Sequence, residues 1–449
     1  MQCDSTLIAR VYRAASAADH RLLVAADLPK EDHACVSSSL ASLYATPSRA
    51  AANATNAIVD ECYSRLRLHN DSGDSDLDRH LAPRVRIRRL ATNTTGFKRW
   101  WRRTEQRHEQ LNEQRGAAEW VVPETMASDA YRIVFLHGGA YSYYSPSDGY
   151  RPLTTRLAAA TALPLLAVDY RKAPEHAPPD AVKDAAAALR WAWANGPHRR
   201  SAAKGVFLLG DSAGGGLVLS LLVALRMGES ARGLRDLASH RPPTAAATLS
   251  AWTDLTCSLN SYTTRAWDAT IAAAAAAAAA RGHRSAGDRG TPRGEPGDPV
   301  FSSGDPVQDV ADSLVGSRRY HRDGDPRDPR VSPLFAPSAV LASLPPLLML
   351  VGDAELMLAD STEFAARAVE AIAANQAKSK AKQPTAATTT TTTVPAAPTV
   401  RLRIFPRMWH VWPMYAEACG QGRPLPPAER AFDELAAFFR EHAAHGRRS

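Results

Sequence analysis

FLLGDSAGGG, residues 207–216, joins a short apolar run to a longer apolar segment. It contains Gly210-x-Ser212-x-Gly214, and the leucines and valines that follow recur at helical spacing. A G-x-S-x-G between a strand and a helix predicts a nucleophile elbow, a turn so sharp that the serine is lifted above the sheet. Glycines on both sides of the serine remove side chains that would obstruct this turn. The pattern therefore predicts that Ser212 is a nucleophile rather than a bystander in a tight turn.

Short apolar runs alternate with segments of helical spacing along most of the chain. The runs lie at 132–137, 163–170, 205–211, 245–252, 345–353 and 400–406. The helical segments lie at 150–161, 180–194, 213–227, 361–374 and 428–443. This alternation predicts an α/β protein with a mostly parallel sheet and helices on both faces. Upstream, RVRIRRL (84–90) and AEWVVP (118–123) predict two paired strands.

The composition is typical of a soluble globular chain. Of the 449 residues, 45% are hydrophobic and 22% are charged, which suits one large domain with additions or two domains. The net charge of +8 comes without a nucleic-acid recognition motif, so we expect solvated basic faces and no nucleic-acid partner. Five scattered cysteines without a CxxC pair predict reduced thiols, with neither a metal site nor a disulfide framework.

The sequence predicts neither a signal peptide nor a membrane span. The N-terminal stretch lacks the apolar core of a signal peptide, and no apolar run of about 20 residues occurs. We therefore expect an intracellular, cytoplasmic protein. FKRWWRR (97–103) interleaves aromatic and basic residues, which admits a weak peripheral membrane contact, although a solvated hairpin loop explains the charges equally well. The sequence assigns no oligomeric state.

VFLHGGAYSYYS (134–145) places Gly138 and Gly139 at the end of another apolar run. Attack of a serine on a carbonyl builds negative charge on the carbonyl oxygen, which backbone N–H groups stabilise where no side chain intervenes. The two glycines and the amide of Ala213 therefore predict an oxyanion hole. His137 precedes the serine along the chain, and we expect it to anchor this loop.

VRLRIFPRMWHVWPMY (400–415) ends a predicted strand and carries His410. Of the fourteen histidines, His410 alone directly follows the last predicted strand, where a general base for Ser212 is expected. The acid that orients this base should lie between the serine and the histidine, just after a strand.

Candidates for this acid lie in LMLVGDAELMLADSTEF (348–364), which carries Asp353, Glu355, Asp360 and Glu363. Asp353 suits a tight strand exit, because Asp is favoured in turns. Asp360 can cap the helix predicted at 361–374, with Glu363 three residues on, as in a capping box. These local patterns leave the identity of the third residue open.

Six stretches of the chain form a specific combination. They are HGGAYS, VDYRKAPEHAPPDAVKDAAAALRWAW (168–193), GDSAGGG, SAWTDLT (250–256), DPRVSPL (328–334) and MWHV. Together they resemble the hormone-sensitive-lipase-like branch of the α/β-hydrolases, which includes bacterial carboxylesterases, arylacetamide deacetylases and fungal steryl acetyl hydrolases. The resemblance covers roughly 118–270 closely and 328–440 in motif order. DYRKAPEH (169–176) is expected to be a structural turn with internally paired charges.

The resemblance implies an α/β-hydrolase fold with an eight-stranded, mostly parallel sheet and a helical cap. The cap would comprise the N-terminal region 1–82 and the segment 257–327, and the catalytic domain would span 83–449. Low-complexity stretches at 272–306 and 376–398 are predicted to be disordered insertions.

The resemblance also implies a serine hydrolase, without metal or cofactor, that cleaves carboxylic esters of small or lipid-like molecules through an acyl-enzyme. Aligned without gaps, the catalytic Asp of the family falls on Glu355, although Ala359 stands where the family usually has a second acid. The implied triad is Ser212, Glu355 and His410, with an oxyanion hole formed by Gly138, Gly139 and Ala213.

Two other functions stay open at this stage. One is amide deacetylation, which the arylacetamide deacetylases of the same branch perform. The other is a catalytically inactive small-ligand receptor, because plant gibberellin receptors resemble this branch but lack the histidine. The presence of His410 argues against a receptor.

Overall fold

The computed structural model describes residues 85–89, 118–126, 128–147, 149–227, 241–259, 261–264, 320–321, 324–381, 400–406, 408–415 and 425–445. The predicted cap region 1–82, the insertion 272–306 and the aromatic–basic segment 97–103 lie outside these residues. Most of the predicted cap segment 257–327 also lies outside them, so the domain division stays a prediction.

Eight strands form one sheet within the described residues. They are β1 (Val85–Arg89), β2 (Ala118–Pro123), β3 (Tyr131–Leu136), β4 (Leu165–Val168), β5 (Gly205–Asp211), β6 (Ala245–Leu249), β7 (Leu347–Gly352) and β8 (Val400–Phe405). Their order across the sheet is β1-β2-β4-β3-β5-β6-β7-β8. β2 pairs antiparallel with β1 and β4, and the other neighbours are parallel. The predicted sheet and its edge strand pair are confirmed.

Helices cover both faces of this sheet, as the alternating pattern predicted. They are α1 (Arg151–Thr161), α2 (Pro178–Ala194), α3 (Ser212–Met227), α4 (Ser261–Thr264), α5 (Ser338–Leu341), α6 (Leu358–Ala381) and α7 (Pro426–His445). In β3, Val134 and Leu136 join the core that contains α2, α3 and α6. Ile133 and Phe135 join the core that contains α1 and α7, because successive side chains of a strand point to opposite faces. None of the described helices combines the length and hydropathy needed to cross a bilayer.

Helix α6 is longer than the sequence predicted. It begins at Leu358, three residues before the predicted start at 361, and continues to Ala381. The first residues of the stretch predicted to be a disordered insertion, 376–381, are therefore helical, and that part of the prediction is wrong. Alanine, lysine and glutamine dominate this end of the helix, and all three have high intrinsic helix propensity. Residues 382–398 lie outside the described part of the chain.

Tyr320 is a described residue of the predicted cap segment, and it packs on the loop after β3. Its ring lies parallel to that of Tyr141, with the ring centroids 3.8 Å apart and an interplanar angle of 4°. Its hydroxyl donates to the carbonyl of Pro178 at 3.4 Å. Both tyrosine rings are almost completely buried, so this contact holds Tyr320 against the loop after β3.

Phe364→Ala should destabilise the protein through the packing of α6 on the sheet. The Phe364 side chain is fully buried in the core of that face, and loss of a buried phenylalanine costs about 3–5 kcal/mol of unfolding free energy. Val369 lies on the same helix but is 49% exposed, so Val369→Ala should change that free energy by no more than about 0.5 kcal/mol. Urea unfolding measures both variants, and equal losses would contradict the observed orientation of α6.

Candidate active site

Ser212 lies at the junction of β5 and α3, in a left-handed backbone conformation that residues other than glycine rarely adopt. Its φ is 52°. A Cβ at position 214 would lie 2.1 Å from the carbonyl oxygen of Leu136, and one at position 210 would lie 2.5 Å from the carbonyl oxygen of Gly214. Gly210 and Gly214 are therefore required by close backbone contacts, as the elbow prediction implied.

Three residues predicted to act together form one hydrogen-bonded chain. Ser212 Oγ lies 2.9 Å from His410 Nε2, and His410 Nδ1 lies 3.2 Å from Glu355 Oε2. When Nδ1 carries the imidazole proton and donates to Glu355, Nε2 is left to accept the proton of the Ser212 hydroxyl. The arrangement therefore has the geometry of a nucleophile, a base and an orienting acid.

The Glu355 carboxylate is completely buried. Burial raises the pKa of Glu355 well above its ordinary value, while hydrogen bonds from the Ser250 hydroxyl and from the amide of Gly352 act to lower it. The Gly352 amide donates to Glu355 Oε1 at 3.0 Å. A desolvated carboxylate held beside an imidazole stabilises the imidazolium strongly, because water screens the pair little.

The two competing aspartates have other partners. Asp353 lies in the turn after β7, where its amide donates to the carbonyl of Phe405 at 3.1 Å. Asp360 is completely buried in the first turn of α6, and its Oδ1 accepts the amides of Thr253 at 2.7 Å and Asp254 at 2.8 Å. The predicted capping box of Asp360 with Glu363 is therefore wrong, because the helix begins earlier and the carboxylate binds another loop.

The amide of Gly138 does not point to an oxyanion, as the prediction requires, because a carboxylate already accepts its hydrogen bond. This amide donates to Asp211 Oδ1 at 3.0 Å, and an amide has only one hydrogen to donate. The prediction for Gly138 is therefore corrected: this residue fastens the loop to the elbow. A Cβ on Gly138 would lie only 2.9 Å from the Cβ of Ser212, so glycine is needed for this contact.

The predicted donors Gly139 and Ala213 have no acceptor for their amides within the described part of the chain, and neither has Ala140. Gly139 has a φ of 103° and Ala140 a φ of 50°, so the backbone turns sharply just after Gly138. The sequence did not single out Ala140. A backbone donor does not require a particular side chain, so residue identity carried little signal for it.

Asp211, the residue just before Ser212, joins the elbow to the loop after β3. Its second oxygen, Oδ2, accepts the Tyr150 hydroxyl at 2.8 Å. Burial raises the pKa of Asp211 to about 7, and hydrogen bonds from Tyr150 and Gly138 act in the opposite direction. The sequence offered no reason to single out Asp211, because its partners come from distant positions.

His137 anchors the loop, as predicted. The ring is fully buried, and Nδ1 donates to the carbonyl of Gly138 at 2.7 Å. It stacks on Tyr170 at 4.5 Å between ring centroids, and the Tyr170 hydroxyl donates to the carbonyl of His137 at 2.7 Å. Burial lowers the pKa of His137 to about 3, so the ring is neutral at physiological pH.

The charges of DYRKAPEH are paired only partly within the motif. Lys172 pairs with Asp169, as predicted. Arg171 instead binds Asp184 of α2, with Nη2 2.8 Å from Oδ1, and lies 3.6 Å from Asp180. The expectation of wholly internal pairing is corrected, because the arginine fastens this turn to the following helix.

Comparison with known proteins agrees with the fold. A family profile described as an α/β-hydrolase fold matches residues 133–315. An acetyl-hydrolase of Streptomyces hygroscopicus is 32% identical over 330 residues, which is 73% of this chain and 81% of the relative. A gibberellin receptor of Arabidopsis thaliana is 36% identical over 103 residues, 22% of this chain and 29% of the receptor. The crystal structure of an esterase from the bacterial hormone-sensitive lipase family has a TM-score of 0.54 at 23% identity, covering 98% of this chain and 99% of that one.

The sheet order and the serine elbow define an α/β-hydrolase. With a relative of this identity and coverage, the chain belongs to the hormone-sensitive-lipase-like branch of the α/β-hydrolases, as the six sequence stretches predicted.

Asp211→Asn should make stability less dependent on pH. Burial raises the pKa of Asp211 from 3.8 to about 7, so the folded state retains a proton that the unfolded chain releases in this window. The wild-type free energy of unfolding should therefore fall, relative to that of the variant, as the pH rises from about 4 to about 7. The asparagine can still accept from Gly138 and can donate to Tyr150. Urea unfolding across this pH range tests the effect, and a constant difference would contradict it.

Proposed function

We propose that this protein is a serine hydrolase that cleaves carboxylic esters of small molecules, with short acyl groups such as acetyl as the preferred acyl part. The hydrogen-bonded chain from Ser212 through His410 to Glu355 carries the proposal. The acetyl preference is suggested by the acetyl-hydrolase of Streptomyces hygroscopicus, of which this chain covers 81%.

In the proposed mechanism, Ser212 Oγ attacks the ester carbonyl while His410 Nε2 takes the hydroxyl proton. The tetrahedral intermediate collapses, the bond to the alcohol oxygen breaks, and His410 returns the proton to the leaving alcohol. Water then attacks the acyl-enzyme with His410 again as the base, which releases the acid and restores Ser212. Glu355 keeps Nδ1 protonated and stabilises the imidazolium at both stages.

The oxyanion that forms at each attack would be held by backbone amides. We assign this role to Gly139 and Ala213, as the sequence predicted, and add Ala140 in place of Gly138. Support comes from the amide of Gly138, which is already bonded to Asp211, and from the turn that follows it. Ala213 lies at the start of α3, where the helix dipole also favours negative charge.

The receptor alternative is not favoured. His410 is in hydrogen-bond distance of both the serine and the acid, an arrangement that ligand binding does not require. The similarity to the gibberellin receptor spans only 22% of this chain. No observation favours amide over ester cleavage.

Ser212→Ala should abolish hydrolysis of p-nitrophenyl esters and covalent labelling by a fluorophosphonate, because both need the serine oxygen. With the wild type, kcat/KM should be highest for acetate or butyrate and fall for longer chains. Ser220→Ala removes a buried hydroxyl from the same helix and is the matched control. Full labelling of the Ser212→Ala variant would rule out Ser212 as the nucleophile, and a maximum at long chains would contradict the acyl preference alone.

Glu355→Gln should lower kcat severely, because an amide neither fixes the histidine tautomer nor stabilises the imidazolium. Loss of the acid in a serine protease triad costs about 10⁴ in kcat. Asp353→Asn changes the same functional group two residues away and should cost little, because asparagine also suits turns. The measurement is kcat on p-nitrophenyl acetate, with thermal melting to check folding. A near wild-type kcat for Glu355→Gln would show that another residue orients His410.

A further inference from the structure

The segment after β6 contacts the surroundings of all three triad residues. The amide of Trp252 donates to the carbonyl of Ser212 at 3.0 Å. The amide of Val411, next to the candidate base, donates to Ser250 Oγ at 3.0 Å. The Ser250 hydroxyl hydrogen-bonds the carboxylate of Glu355. Two residues of one loop, Ser250 and Trp252, therefore link three loops that are far apart in the sequence.

The hydroxyl of Ser250 is suited to bridge two of these loops at once. A serine hydroxyl has one hydrogen to donate and two lone pairs to accept. The Val411 amide uses a lone pair, which leaves the hydrogen for the Glu355 carboxylate. The residue is completely buried, so water cannot replace either bond.

The backbone at this bridge is strained on both sides. Ser250 has a φ of 50° and Val411 a φ of 49°, close to the φ of 52° at Ser212. This conformation is uncommon for residues other than glycine and is a clear outlier for the β-branched Val411. Such strain persists only where surrounding contacts over-determine the geometry, and it clusters at functional sites.

The loop that carries Ser250 is itself firmly held. The Ser250 amide donates to the carbonyl of Leu350 in β7 at 2.8 Å. A few residues on, the amides of Thr253 and Asp254 bind the buried carboxylate of Asp360 at 2.7 and 2.8 Å. The hydroxyl therefore has a fixed position between β7 and α6.

We infer that Ser250 is a positioning residue for the hydrolase, which holds the Glu355 carboxylate and the His410 loop in register through one hydroxyl. The inference rests on the proposed function, since it assigns Ser250 to the same reaction. Ser250 does not touch the reacting atoms and acts through Glu355 and Val411.

A positioning role has a pH signature that a purely structural role lacks. In the described residues, the titratable group in hydrogen-bond distance of Glu355 is His410. The Ser250 bond favours the charged carboxylate, so its removal should raise the pKa of Glu355 further. Glu355 would then be protonated at a higher pH, and the acidic limb of the kcat/KM profile should move to higher pH in the variant.

The test compares Ser250→Ala and Ser250→Gly with wild type and Ser361→Ala on p-nitrophenyl acetate. Both Ser250 variants lose the hydroxyl, but glycine also relieves the strained φ, so the two substitutions have different effects on the backbone. Ser361 is equally buried, and its hydroxyl has no partner among the described residues. We expect kcat to fall about 10- to 100-fold in both Ser250 variants, the effect of losing one hydrogen bond to a charged group. The KM of the two Ser250 variants should be nearly unchanged, and so should the kcat of Ser361→Ala.

Each outcome has a defined meaning. Equal kcat losses in the alanine and glycine variants, with the shifted acidic limb, would support the inference. An unshifted acidic limb in the Ser250 variants, or a kcat equal to that of Ser361→Ala, would overturn the inference. The proposed function would still stand, provided that the wild-type enzyme is active. If Ser250→Ala does not fold by thermal melting, Ser250→Gly decides, and failure of both to fold would assign Ser250 a structural role instead. A wild type that hydrolyses no ester would overturn the proposed function itself.

Discussion

The close approach of the β5–α3 turn to the end of β3 is the constraint on which the site depends. Only 2.1 Å would separate a Cβ on Gly214 from the carbonyl oxygen of Leu136. The close approach of Gly214 to this carbonyl holds the elbow, in which Ser212 has a positive φ, against the loop after β3. The Gly138 amide can then reach Asp211, the residue just before the nucleophile. One steric contact thus holds Ser212 close to the backbone amides that we propose as oxyanion donors.

Buried carboxylates connect the loops around this contact. Asp211 binds the amide of Gly138, and Asp360 binds those of Thr253 and Asp254. Burial raises the pKa of both, which means that the folded protein bears a cost for their charge above that pKa. Loop amides have no strand or helix partner, so a carboxylate is one of the few groups that can satisfy them away from water. Burial of these two carboxylates is electrostatically unfavourable, but their hydrogen bonds hold the loops around the candidate site in place.

The sequence predicted the features that depend on chain order and local pattern. It did not predict those that depend on the direction in which a backbone amide or a carboxylate points. Ser212 and His410 follow apolar runs in the order that the chemistry requires, so their positions could be predicted. The choice of Glu355 as the acid depended on the family resemblance, because the local pattern allowed Asp353 and Asp360 as well. The direction of the Gly138 amide depends on backbone torsions that no residue type reveals. Asp360 next to a helix start satisfied the rules for a cap, and only the tertiary fold gave its carboxylate a different set of donors.

The order of the strands explains why one hydroxyl can serve several loops. Strands β5, β6, β7 and β8 are neighbours and parallel, so the loops at their carboxyl ends meet at one edge. In the same order these loops carry Ser212, Ser250, Glu355 and His410. His410 comes from the outermost strand and must reach back past two loops to lie 2.9 Å from Ser212. The end of β6 lies between those of β5 and β7, and a small hydroxyl there can bond both the acid and the histidine loop. Position 250 is therefore defined by the sheet as much as the triad is.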